Sequence, residues 1–224
     1  MHPLIHGQTL SRSDLEALVG GKIRTLSECV FDDVDLSGLD LNGLVFERCS
    51  FKGADFTSAQ LEDTRFASCR GAMANFTAAR LDASTWKSCD LNNARFTGAS
   101  LSETAFTGCK LTGADFSRSR HVGTVSIEPT LTSACLPGFS FRNQTLETLD
   151  FSHADLAGAD FRGAVLNSCS LRDSHLVDAR FDNADLRGAD LGGLRLNDAR
   201  RFRGATISRA QAGALLSELG LKVH

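Results

Sequence analysis

Phe46-Glu-Arg-Cys-Ser-Phe51-Lys-Gly-Ala-Asp-Phe56-Thr-Ser-Ala-Gln-Leu61-Glu-Asp-Thr-Arg-Phe66 puts a large apolar side chain at every fifth position. The frame extends in both directions. From Leu26 to Leu196, 31 of 35 such positions are Leu or Phe; only Gly71, Trp86, His121 and Ser126 differ. Neither a 3.6-residue helix nor a two-residue strand repeat produces a strict period of five. Two residues before each centre the side chain is usually small, as at Ala54, Ala59, Ala94, Ala154 and Ala184. One residue before, Asp or Asn is frequent, as at Asp35, Asp55, Asn75 and Asp160, and the other positions are mostly polar. Each quintet therefore turns one large and one small apolar group inward and three groups outward.

The chain has 224 residues, of which 42% are hydrophobic and 23% charged, a balance that fits a folded soluble domain. The net charge of −3 lacks the basic excess of a general nucleic-acid binder. Fifteen Phe and no Tyr imply inward slots that accept a ring but offer a hydroxyl no partner. No apolar run approaches the roughly 20 residues of a membrane span. The start, MHPLIHGQTLSRSD, lacks a basic segment followed by an apolar core, so a cytoplasmic location is expected.

Ala-Asp-Leu-Ala-Gly (154–158) and Ala-Asp-Leu-Arg-Gly (184–188) resemble the units of the pentapeptide repeat family. The resemblance implies an all-β solenoid: a right-handed quadrilateral β-helix with four quintets per coil. Cys29, Cys49, Cys69, Cys89 and Cys109 lie 20 residues apart, and Cys169 falls in the same column 60 residues on; only Cys135 lies outside it. Twenty residues are four quintets, so these thiols should stack on one face as buried small hydrophobes. Disulfides are rare in a cytosolic protein, and a straight column does not converge on a zinc ion. Residues 26–206 then make about nine coils, roughly 40 Å at the ~4.8 Å spacing of stacked strands.

The ends of such a stack need caps. Within 1–25, Ser13-x-x-Glu16 reads as a capping box before Leu15, Leu18 and Val19, with Gly20-Gly21 as the stop of a short helix over the first coil. Within 207–224, Ser208-x-x-Gln211 opens a second helix with Ala212, Leu215, Leu216 and Leu219 on one face and Gly220 at its end, followed by Leu221 and Val223. These are many apolar groups for one cap, and a two-fold partner could bury the surplus. This tail is similar to that of the quinolone-resistance (Qnr-type) branch of the family. The resemblance implies a homodimer through Ala212, Leu215, Leu216, Leu219, Leu221 and Val223.

The frame weakens over 117–138, either as a distorted coil or as an outward loop. Qnr-type proteins carry projecting loops that touch the enzyme they protect, which makes Arg118, Arg120, His121, Ile127 and Glu128 candidate partner contacts. His121 occupies an inward-type position and is expected to swing out to solvent. Residues 27–64 hold nine acidic groups against Arg48 and Lys52, a net of −7. Asp32, Asp35, Asp40, Asp55, Glu62 and Asp63 are the candidate partner-facing charges; the competing reading is a solvated acidic end that aids solubility. Residues 113–224 hold 13 acidic and 13 basic groups, so the acidic excess does not run through the chain.

No CxxC or HExxH motif occurs, and the six His lack partners at metal-ligand spacing. Val19-Gly20-Gly21-Lys22-Ile23 departs from a phosphate loop, with its first Gly missing and Ile in place of Ser or Thr. Smooth faces and a filled interior leave no evident cleft, so neither an enzyme, a cofactor, a metal nor a small-molecule substrate is expected. The Qnr-type resemblance implies binding to DNA gyrase or topoisomerase IV in place of DNA, with no direct nucleic-acid or membrane contact, and protection from quinolones or natural gyrase poisons. The alternative is an interaction scaffold with another partner, because a repeat specifies a fold and not a function.

Overall fold

The computed structural model describes residues 4–19, 24–121, 125–127, 130–194, 199–218 and 220–222, with 125–127 and 199 by backbone alone. The chain forms two compact units, Met1–Pro129 and Thr130–His224. In the first, β1 (Leu4–His6), β2 (Thr25–Ser27), β3 (Val45–Glu47), β4 (Arg65–Ala67), β5 (Thr85–Lys87), β6 (Ala105–Thr107) and β7 (Val125–Ile127) form one parallel ladder in chain order. From β2 onward each residue pairs with the one 20 positions later, for instance Phe46 with Phe66 and Phe66 with Trp86. Single parallel bridges at Ser50–Arg70–Asp90, Asp55–Asn75–Arg95 and Asp40–Gln60–Arg80 mark the other three sides. Four quintets thus close one coil, the quadrilateral β-helix expected above, with the right-handed sense of parallel crossover connections.

In the first unit we number the faces by their inward centres: face 1 from Leu26, face 2 from Phe31, face 3 from Leu36 and face 4 from Leu41. Each corner lies two residues after a centre, where the backbone is left-handed, as at Asp33 (φ 58°), Asn93 (φ 57°) and Gly53 (φ 63°). Asn, Asp and Gly tolerate this region best. After the centres of faces 2, 3 and 4 the centre's carbonyl accepts the N–H three residues on, as in Ala54 N–H to Phe51 O at 3.0 Å and Ala59 N–H to Phe56 O at 3.0 Å. Face 1 instead runs on as the extended strands of the ladder.

Inside, rings stack coil upon coil. Phe46, Phe66 and Trp86 stack at 5.1 and 3.7 Å, and Phe56, Phe76, Phe96 and Phe116 at 4.8 to 5.0 Å. Gly71 interrupts the column of face 2, and the next coil closes over it: a Cβ there would lie 3.0 Å from Leu91 Cδ2.

The N-terminal segment adds more than a cap. β1 pairs with β2 at an offset of 21, and buried Leu10 lies one coil before Phe31. α1 (Arg12–Val19) follows, with Leu15 fully buried. Its capping box is not Ser13 with Glu16 but Ser11 with Asp14: Ser11 N–H donates to Asp14 Oδ2 at 2.8 Å and Asp14 N–H to Ser11 Oγ at 3.3 Å. Arg12 ties the helix to face 3 through Ser37 O at 3.0 Å.

The second unit repeats the scheme over β8 (Thr145–Glu147), β9 (Val165–Ser170) and β10 (Asp185–Asp190). Phe141, Phe161, Phe181 and Phe202 stack at 4.8 to 4.9 Å. The last step spans 21 residues, so the frame slips by one before Phe202, which belongs to a 3-10 turn (Ala199–Phe202). α2 (Arg209–Glu218) then closes the unit.

Candidate interaction surfaces

The Asp at the position before each centre is first a structural group. Its Oδ1 accepts the N–H two residues on: Ser37 to Asp35 at 2.9 Å, Asn42 to Asp40 at 3.2 Å, Thr57 to Asp55 at 2.9 Å. Asp32 accepts the N–H of Lys52, one coil further, at 3.0 Å. Hydrogen bonds from Ser37 hold the Asp35 carboxyl below the usual carboxylate range. Glu62 pairs with Arg80 at 2.7 Å, and Asp63 stands exposed at a left-handed corner (φ 55°). All six predicted acidic residues face outward. They do not share one column: Asp32 is on face 2, Asp35 and Asp55 on face 3, and Asp40, Glu62 and Asp63 on face 4.

Over 117–138 the described residues narrow the interruption. Arg120 bridges Ser100 in register, and Leu131, Ala134 and Leu136 are buried as in a regular coil. β7 continues the ladder, with Val125 opposite Ala105 and Ile127 opposite Thr107. Arg118 and Arg120 are exposed. His121, expected to swing out to solvent, is half-buried, and burial pushes its imidazole below the usual range. The side chain of Ile127 and the whole of Glu128 lie outside the described residues.

At the C-terminal end α2 is capped as the sequence implies: Ser208 N–H donates to Gln211 Oε1 at 2.6 Å and Gln211 N–H to Ser208 Oγ at 3.2 Å. Gln211 Nε2 also reaches Leu186 O and Ala189 O, both at 2.7 Å, which fastens the helix onto β10. The stop is a Schellman motif: Gly220 (φ 83°) donates to Ser217 O at 2.9 Å and Leu221 N–H to Leu216 O at 3.0 Å. Leu215 is buried in its own unit and Ala212 half-buried, whereas Leu216 and Leu221 are 39% and 55% exposed. Leu219 and Val223 lie outside the described residues.

The thiol column has a further role that its apolar character did not reveal. Each Sγ meets a carbonyl of face 1 one coil earlier, as in Cys49 to Leu26 O at 3.4 Å, Cys69 to Phe46 O at 3.3 Å and Cys109 to Trp86 O at 3.4 Å. Cys169 repeats this with Leu146 O at 3.5 Å. Burial pushes the Cys29 and Cys169 thiols up. Cys135, off the column, stacks with Asp155 and His175; His175 Nδ1 lies 2.9 Å from Asp155 Oδ1 and Cys135 Sγ 4.0 Å from Asp155 Oδ2. Reading every twentieth residue before the centres would have exposed this trio. Among the described residues no group of three such ligands is placed to hold a metal ion. No cleft was expected, yet the second unit has an open hollow of about 440 Å³ lined by Asp173, His175, Leu194 and Arg201, among others. Among the described residues no helix is long and apolar enough to cross a membrane.

Family models for pentapeptide repeats match residues 40–116 and, in overlapping segments, 130–163, 146–176 and 164–200. The chain belongs to the pentapeptide repeat family. No curated protein matches it. Among solved structures it is similar to QnrB1, a plasmid-mediated fluoroquinolone resistance protein. One trypsin-treated variant of QnrB1 aligns with a TM-score of 0.67 at 23% identity, over 99% of this chain and 97% of that one. A second trypsin-treated variant gives 0.57 at 25% over the same shares. Full-length QnrB1 gives 0.50 at 23%, over 97% of each chain.

Proposed function

We propose that this pentapeptide repeat protein is a non-catalytic, cytoplasmic interaction protein that binds DNA gyrase or topoisomerase IV where the enzyme grips DNA, and so protects it from quinolones or natural gyrase poisons. The observation that carries the reading is the likeness to a fluoroquinolone resistance protein over 99% of this chain and 97% of that one. The carboxylates of the first two coils would steer association with a basic DNA-binding surface. Arg118, Arg120 and other residues of the 117–138 segment would supply particular contacts. The exposed Leu216 and Leu221 would join two copies through their terminal helices.

The test is a gyrase supercoiling and cleavage assay with and without a fluoroquinolone. The expected result is that stoichiometric protein restores supercoiling in the presence of drug and lowers drug-induced cleavage. Unchanged supercoiling and cleavage across a wide range of protein concentrations would count decisively against the reading.

A further inference from the structure

Charge divides the first unit across its section as well as along its coils. On faces 1 and 2, residues 64–73, 84–93 and 104–113 carry Arg65, Arg70, Lys87 and Lys110 against Asp90 alone, a net of +3. All four cations are exposed, and none lies in an ion pair with a described carboxylate. Their neighbours differ: Arg48 is held by Glu28 at 2.9 Å and Arg80 by Glu62 at 2.7 Å. Met73, 60% exposed, stands three residues from Arg70 on the same face and adds an apolar contact. On the opposite faces 3 and 4, the two preceding coils (residues 34–43 and 54–63) carry Asp35, Asp40, Asp55, Glu62 and Asp63 and no cation, a net of −5, whereas 74–83 and 94–103 are neutral.

We propose that the strip of Arg65, Arg70, Lys87 and Lys110 is a docking surface for a second copy of this chain, which presents its acidic faces 3 and 4. Two features select this occupant over a nucleic acid. The strip is short, about three stacked strands or ~10–15 Å. A longer polyanion laid along the same two faces would run onto Glu28, Asp32 and Asp33 in the first coil. A compact acidic surface stops short of those carboxylates, and the chain carries one. Because the two surfaces are unlike and lie on opposite sides of the unit, the contact is heterologous, and copies add sideways without closing. The contact is separate from the apolar terminal one: salt weakens it, whereas burial of Leu216 and Leu221 does not depend on salt.

Sedimentation velocity on the full chain carrying Leu216→Asp and Leu221→Asp isolates this contact. The expected result is concentration-dependent association that weakens on the order of tenfold between about 50 mM and 500 mM NaCl. Arg70→Glu with Lys110→Glu abolishes it, and so does Glu62→Lys with Asp63→Lys. The corner at Asp63 accepts Lys, since Arg48, Met73 and Arg118 occupy the same left-handed position elsewhere. An equimolar mixture of the two charge-reversed proteins regains association, because the strip variant keeps its acidic faces and the face variant keeps its strip. This arm separates lost complementarity from misfolding. Association indifferent to salt and to both reversals, no association at low salt, or a mixture that stays dissociated would overturn the proposal. So would binding of a labelled single-stranded oligonucleotide that Arg70→Glu with Lys110→Glu removes, which would assign the strip to nucleic acid.

Discussion

Trp86 shows how the interior accommodates a polar atom. Its indole Nε1–H is buried and donates to Ser84 Oγ at 3.1 Å, and Ser84 itself is fully buried at a position where Ala is the commonest residue across the repeat. Ser84→Ala restores the consensus residue yet strands the indole donor. The expected cost is about 1–3 kcal/mol, read from urea unfolding, with Trp86→Phe largely restoring stability in the double variant. A double variant no more stable than Ser84→Ala would show that the bond is not what Ser84 supplies. Phe without Tyr was legible for the same reason: stacked rings leave a hydroxyl nothing to meet. The role of Asp before each centre was not. Its frequency is visible in the sequence, but the backbone N–H it accepts is two residues away and becomes a partner only once the corner has formed.

At the scale of elements, the solenoid was legible because one large inward group per quintet leaves no other regular structure available. The cysteine column counted the sides independently. The helices were harder to delimit. Ser11-x-x-Asp14 and Ser13-x-x-Glu16 overlap as capping signals, and the burial of Leu15 together with the tie from Arg12 to face 3 favours the earlier start. The one-residue slip before Phe202 was hidden because Leu196 still satisfies the frame. In β10, side-chain bonds from Arg187 hold the Asp185 carboxyl down to about 2, against an ordinary 3.8. A carboxyl depressed on folding stabilises fully above its ordinary value, and that contribution is lost as pH falls through the depressed one. Asp185→Asn should therefore be less stable than the parent at neutral pH by a margin that closes between about pH 4 and 2. Chemical denaturation at several pH values measures it, and a margin independent of pH would assign the effect to packing.

For the whole molecule, outward-facing residues decide what is bound, and no packing constraint spells them out in the repeat. This is why the candidate surfaces were only partly legible: the six carboxylates are outward as expected but divided among three faces, and Leu215 serves its own unit. Leu216 and Leu221 stay exposed and are left for the proposed terminal contact. Replacing both by Asp should convert a dimer into a monomer in size-exclusion chromatography with light scattering. The loss is at least about 3 kcal/mol, more than a hundredfold in Kd. A parent protein that is already monomeric at low and high concentration would remove the terminal contact.

The twenty-residue register from β2 to β7 has a genetic corollary. Excising residues 77–96 would seat Phe76 directly beneath Phe116 in the same column, with the corners and the backbone ladder reproduced at the junction. Gain or loss of a 20-residue stretch can therefore change the number of coils without inventing a new interior. Dimensions become a heritable variable that selection can fit to a partner, while the outward residues drift independently.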